Sequence, residues 1–183
     1  QLDLGALAAI STADYDRLSP FQWPWRSGNS PQARLFGDGR FAHADGRARF
    51  IAAATHTPAH MPNRQFPFVL NTGRLRDQWH TMTRTGEVPR LNGHEPLPFV
   101  TVHPGDAQQL GLADGDLARV STAQGSALLL VRTSSGQQAG TLFAPMHWTR
   151  TLVTGGIVGA LPNACVDPHS GQPELKHTPA QLQ

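Results

Sequence analysis

Asn71-Thr72-Gly73-Arg74-Leu75-Arg76-Asp77-Gln78-Trp79-His80-Thr81-Met82-Thr83-Arg84-Thr85-Gly86 is the stretch on which the reading of this chain turns. It follows Phe68-Val69-Leu70, a short apolar run that reads as a β-strand, and it crowds hydrogen-bonding side chains into a segment with few apolar ones. A glycine lets backbone amides approach an oxyanion, arginine offers paired donors to phosphate, and hydroxyls satisfy the remaining oxygens. That donor set suits a diphosphate. The chain carries neither a G-x-G-x-x-G phrase nor a Walker sequence, so on pattern alone a polar surface loop is an equal reading.

Downstream of this stretch the sequence is β-rich. Phe99-Val100-Thr101-Val102, Leu117 to Thr122, Ala127 to Thr133 and Thr141 to Ala144 all read as strands, with Gln124-Gly125 joining the second and third of these as a hairpin. One helix is expected over residues 103–112, with Pro104 in its first turn and Gly111 as a left-handed stop. Asp114-Gly115-Asp116 reads as a turn, since calcium would need further carboxylates. Strand, helix, turn and strand together imply a compact, barrel-like, mainly β domain over residues 66–183.

Upstream the pattern is irregular. Ser11 or Thr12 can cap a short helix through Leu18 before Pro20 ends it, and Phe21-Gln22-Trp23-Pro24-Trp25 is an aromatic strip broken by proline. Two phrases centred on Asp38-Gly39 and Asp45-Gly46 predict a small β-ribbon, because Asp-Gly tolerates positive φ in tight hairpins. Pro58, Pro62 and Pro67 mark a linker. Residues 1–65 are therefore expected to form an extension carrying a short helix, a ribbon and a proline-rich connection. The opening Gln1-Leu2-Asp3-Leu4 reads like the middle of a longer polypeptide.

Composition narrows the classes. The 183 residues can bury one core, and a charged fraction of 15% with 18 Gly and 15 Pro implies a loop-rich chain that expects neighbours. Lys176 is the only lysine, so the slight net charge of +2 is carried by guanidinium, with no basic run to suggest nucleic acid. The single Cys165 excludes an internal disulfide or a cysteine-only zinc or iron–sulfur site, reads as a small semi-buried residue, and fits a reducing, cytoplasmic setting. No run is apolar enough to span a bilayer, and the first residues lack a secretory pattern.

Individual residues have plainer readings to weigh. Trp79 is expected to pack beneath the loop, with stacking on a ligand the lesser alternative. His80 lies among Thr and Arg, which favours a donor to phosphate or a heterocycle over a core histidine. His56 and His60 have the i, i+4 spacing of a helical metal pair, but Pro58 between them argues against that helix and no metal site is assigned.

The segment Thr72-Gly73-Arg74-Leu75-Arg76-Asp77-Gln78-Trp79-His80-Thr81-Met82-Thr83-Arg84-Thr85-Gly86 resembles the signature of the C-terminal domain of bis-molybdopterin-guanine-dinucleotide oxidoreductases, assimilatory nitrate reductase catalytic subunits in particular. The likeness continues through His103-Pro104, Gly111-Leu112, Asp114-Gly115-Asp116, Pro145-Met146-His147-Trp148-Thr149 and the stretch from Asp167 to His177, and it reaches upstream to Ala33-Arg34-Leu35-Phe36 and Asp45 to Phe50. The resemblance implies a double-psi β-barrel whose cofactor contacts are Thr72, Gly73, Arg74, Arg76, Gln78, Trp79, His80, Thr81 and Lys176. It places Met146 and His147 on a segment facing the substrate funnel. Where many relatives have an Asn shortly afterwards, this chain has Thr154-Gly155-Gly156, leaving a backbone contact from the glycines as the substitute.

The resemblance further implies a parent enzyme that reduces nitrate to nitrite at molybdenum, with an iron–sulfur cluster in an N-terminal part outside this chain and an electron-donor protein as partner. No catalytic residue is assigned within the chain, and by itself it is expected to be inactive. Two alternatives stay open: the same domain of a formate dehydrogenase-like enzyme, and a free-standing, non-catalytic nucleotide-binding barrel.

Overall fold

The computed structural model describes residues 3–183; Gln1 and Leu2, with which the mid-chain reading of the start begins, lie outside the described residues. The chain divides into two compact units with the boundary between Thr55 and His56.

The second unit is a closed barrel of six strands: β1 (Phe68–Gly73), β2 (Phe99–Val102), β3 (Leu117–Ser121), β4 (Ser126–Thr133), β5 (Thr141–Pro145) and β6 (Thr178–Leu182). Their order around the barrel is β1-β5-β2-β4-β3-β6. β1 runs parallel to β5 and β2 parallel to β4, while the other four pairings are antiparallel. The expected mainly β, double-psi type of barrel is what forms. Closure leaves no free edge strand.

Period-two burial explains the strands. β3 alternates exposed Leu117 and Arg119 with buried Ala118 and Val120, and β4 turns Ala127, Leu129 and Val131 inward. The core gathers Leu70, Val100, Val102, Val120, Leu129, Val131, Leu142 and Leu182, together with the small residues Ala118, Ala127, Ala144 and Ala180. Small residues let six strands close on a filled interior. Each fully buried leucine contributes roughly 1.5–3 kcal/mol.

The sequence-derived helix forms as α3 (Pro104–Leu110); α1 (Thr12–Asp16) belongs to the first unit and a single-turn α2 (Pro89–Asn92) was not anticipated. In α3, His103 Nδ1 accepts from the Gly105 amide at 3.1 Å, and Gly111 adopts φ +68 as the left-handed stop. Asp106 of its first turn accepts from the Gly140 amide at 2.7 Å, tying the helix to the turn before β5. Asp114 and Asp116 also act as turn formers, accepting from the amides of Thr133 and Ala113, each at 2.7 Å.

β6 carries no strand signature in the sequence. Pro179 within it removes a ladder donor and normally argues against a strand, yet β6 pairs with both β1 and β3 and closes the barrel.

The first unit, described over residues 3–55, has a different character. Ser11 caps α1, its hydroxyl accepting from the Asp14 amide at 3.2 Å. Phe21 and Trp25 meet edge to face at 5.0 Å, and the Trp25 indole N–H donates to the Asn29 carbonyl at 2.7 Å. The expected β-ribbon does not form. Gly39 and Gly46 do take positive φ, but the turns close on local bonds: Asp38 and Asp45 accept from the amides of Arg40 and Arg47, and Phe36 stacks on Phe41 at 5.0 Å. These side-chain-capped turns satisfy the backbone locally and leave no ladder to propagate.

Candidate functional site

The stretch that follows β1 is held by a frame beneath it. Parallel pairing sets Gly73 opposite Pro145, and the Met146 amide donates to the Gly73 carbonyl at 3.0 Å, so residues 74–80 run beside residues 146–148. Gly73 is required by crowding. A Cβ there would sit 2.6 Å from the Phe143 ring and 3.7 Å from Lys176 Nζ.

His147 is completely buried, and both its ring nitrogens are engaged by the loop: Nε2 accepts from the Leu75 amide at 2.8 Å and Nδ1 lies 2.5 Å from the His80 carbonyl. The funnel assignment therefore changes for this residue. A ring with no exposed surface and two internal partners has no nitrogen left for a substrate, while Met146 is half-buried. Trp148, also buried, lies edge-on to the imidazole at 6.4 Å.

Gln78 is buried at the centre of a second set of contacts. Its carbonyl accepts from the Thr85 hydroxyl at 2.7 Å, its amide donates to Asn92 at 3.1 Å, and Thr85 in turn accepts from the Trp79 amide at 3.2 Å. Asp77 pairs with Arg76 at 2.9 Å and with His94 at 2.8 Å. The Arg76 guanidinium, and after it His94, hold the Asp77 carboxyl down at about 2. Met82 turns inward at φ +62 and is buried.

Thr72 and Lys176 join the loop to the C-terminal segment. The Thr72 amide and hydroxyl both donate to the Leu175 carbonyl, at 3.1 and 2.8 Å, and Lys176 Nζ donates to the Thr72 carbonyl. That segment is fixed by buried Asn163, whose amide donates to Glu174 at 2.8 Å and to the His177 carbonyl at 2.7 Å.

Thr72 and Gln78 thus differ from the expectation of direct ligand contacts, because burial and internal partners make them parts of the frame. Trp79 departs in the opposite sense. It is 62% exposed and touches the His80 ring edge-on at 4.9 Å instead of packing beneath the loop. Arg74, Arg76, Trp79, His80 and Thr81 all lie exposed on the loop, and Lys176 is exposed beside Gly73. The glycines at 155 and 156 answer to packing. The Gly155 carbonyl accepts from the Leu128 amide at 2.8 Å, and a Cβ on Gly156 would meet the Ser126 carbonyl oxygen at 2.5 Å, which leaves the Gly155 carbonyl already engaged.

Exposed guanidiniums and an imidazole along the loop, with an ammonium beside its glycine, form a donor-rich surface suited to phosphate oxygens. At the root of the loop, Asn71 Oδ1 and His177 Nε2 are buried without a hydrogen-bond partner among the described residues, a polar demand that a ligand rich in donors and acceptors would meet. The residues present fit such a ligand. Sequence reading missed Asn92, His94 and Asn163, which hold the loop and its neighbour from 11 to 17 residues away in the chain. Nothing in their local sequence marks them.

Residues 68–179 match the family model described as "Molydopterin dinucleotide binding domain". The chain is 43% identical over 176 residues to a nitrate reductase of Klebsiella oxytoca, covering 96% of this chain and 20% of that protein. Nitrate reductases of Shewanella frigidimarina and Synechocystis are 35% and 36% identical, over 98% and 92% of this chain and 22% and 24% of theirs. Among solved structures, acetylene hydratase from Pelobacter acetylenicus matches with a TM-score of 0.53 at 25% identity, over 68% of this chain and 21% of that one. The chain spans about a fifth of the length of these relatives. With the match extending from β1 into β6 and so across the whole barrel, the chain belongs to the molybdopterin dinucleotide binding domain family.

Proposed function

We propose that this chain is the cofactor-holding domain of a molybdenum oxidoreductase that reduces nitrate to nitrite, and that its ligand is the guanine dinucleotide form of the molybdopterin. The observation that carries the reading is the division of labour in residues 72–81. Thr72 and Gln78 are buried and hold the loop, while Arg74, Arg76, His80 and Thr81 are exposed on it and Lys176 is exposed at its root, beside Gly73. Nitrate reductases are among the relatives that share nearly the whole chain, which favours nitrate as the substrate of the full enzyme.

The bound group would supply the two-electron chemistry at molybdenum; the protein supplies binding, orientation and electrostatics. Arg74 offers a planar fork of donors to the diphosphate, and Lys176 adds a point charge next to Gly73. Arg76 is partly neutralised by Asp77, so its contribution to an anion is weaker than that of Arg74. Trp79 presents an indole face for stacking on a heterocycle. The remaining domains of a longer polypeptide, a cytoplasmic setting, an iron–sulfur cluster held by those domains and an electron-donor protein complete the reading. Alone, the chain lacks the other wall of the cofactor cleft and is expected not to turn over nitrate.

Arg74→Ala in the full-length enzyme tests this. The expected result is molybdenum and guanine content reduced at least about tenfold at equal protein, the scale of losing one charge-assisted contact of roughly 1.5–3 kcal/mol. Normal content of both would remove Arg74 from the site and with it the diphosphate reading of the loop.

A further inference from the structure

We propose that His147 is the positioning residue of the loop, a buried imidazole fixed as its Nδ1–H tautomer that ties Leu75 to His80 and so sets the orientation of the donors between and beside them. The Leu75 amide donates to Nε2 at 2.8 Å, so Nε2 carries the lone pair. The proton then sits on Nδ1 and points at the His80 carbonyl 2.5 Å away. One rigid ring, with a donor and an acceptor on different sides, spans the two ends of a segment containing Arg76, Asp77, Gln78 and Trp79.

Three further observations fit this role. The ring is delivered by the barrel wall: β5 ends at Pro145 in register with Gly73, and the Met146 amide continues the pairing to the Gly73 carbonyl. His80 adopts φ +43, a left-handed conformation unfavourable for a non-glycine residue that requires a compensating contact, which the bond from Nδ1 to its carbonyl supplies. His147 is also fully buried, so the two bonds are shielded from competing water. Each loop end is therefore referenced to the rigid strand pair, and the exposed side chains of Arg76 and His80 inherit that reference.

The brace itself is independent of ligand identity; only its consequence for cofactor retention rests on the reading proposed above. Labelling the imidazole nitrogens of the full-length protein and measuring their NMR shifts should find His147 as the Nδ1–H tautomer, and an Nε2–H tautomer would overturn the proposal. Hydrogen exchange measured by mass spectrometry should show the peptide covering residues 75–81 exchanging about tenfold faster in His147→Phe, with the β4 peptide unchanged. His147→Gln, which keeps one donor and one acceptor, should restore part of the protection. Unchanged exchange in the Phe variant would refute the brace. Faster exchange with full molybdenum and guanine content would refute its link to cofactor retention. Should the Phe variant fail to fold, the tautomer of the wild type and the exchange of the Gln variant decide the question. Failure of the cofactor reading itself shows separately, in the content of Arg74→Ala.

Discussion

Both units of the chain are rich in turns with glycine at positive φ, among them Gly39 and Gly46 in the first and Gly115 and Gly140 in the second, yet only the second builds a sheet. The difference lies in what flanks the turns. On either side of the turn from Thr122 to Gly125, β3 and β4 alternate inward apolar and outward residues, so pairing buries a face. Around Gly39 and Gly46 the aromatics stand singly beside Arg and Asp, and their turns close on Asp side chains. A turn signal becomes a hairpin only when the strands it joins have an apolar face to bury.

The contrast can be tested by cutting into each unit. The largest effect is expected from Leu142→Ala, which empties a completely buried position of β5 and should destabilise the barrel unit by about 3 kcal/mol in urea unfolding. A cost under about 1 kcal/mol would mean the core is far looser than its burial implies. Gly156→Ala comes next. Its backbone is at φ +97 and the added methyl meets a carbonyl of β4, so a loss of about 2 kcal/mol is expected, and a neutral result would show that the segment after Arg150 is free to move off the barrel. Phe50→Ser should lie within about 0.5 kcal/mol of wild type, since the ring is 98% exposed. A loss above about 1 kcal/mol there would show that this phenylalanine packs in solution.

Much of the barrel could be read because its strands are local patterns. Phe68 to Leu70 and Ala127 to Thr133 carry their apolar character in consecutive residues, and Pro104 and Gly111 mark both ends of α3, whereas β1 runs on to Gly73 through residues that read as loop. β6 is illegible in the sequence because Pro179 contradicts the propensity, and its place is decided by its two neighbours, β1 and β3, with which it pairs to close the barrel. The ribbon was misread for the converse reason: its turn chemistry was local and correct, but the ladder needed a partner face that the sequence does not supply.

The candidate site divides in the same way. Its chemistry is legible in the residues alone, since the kinds of donor in residues 72–81, and Lys176 as the sole lysine, are properties of residue type. Which of them face outward depends on the folded chain. Thr72 and Gln78 became frame and His147 was drawn from a segment expected to face the substrate funnel into a buried brace, because each of these outcomes depends on which polar group finds a partner from 7 to 103 residues away. Hydrogen bonding of buried groups is a long-range constraint, and a linear pattern carries the groups without their pairings.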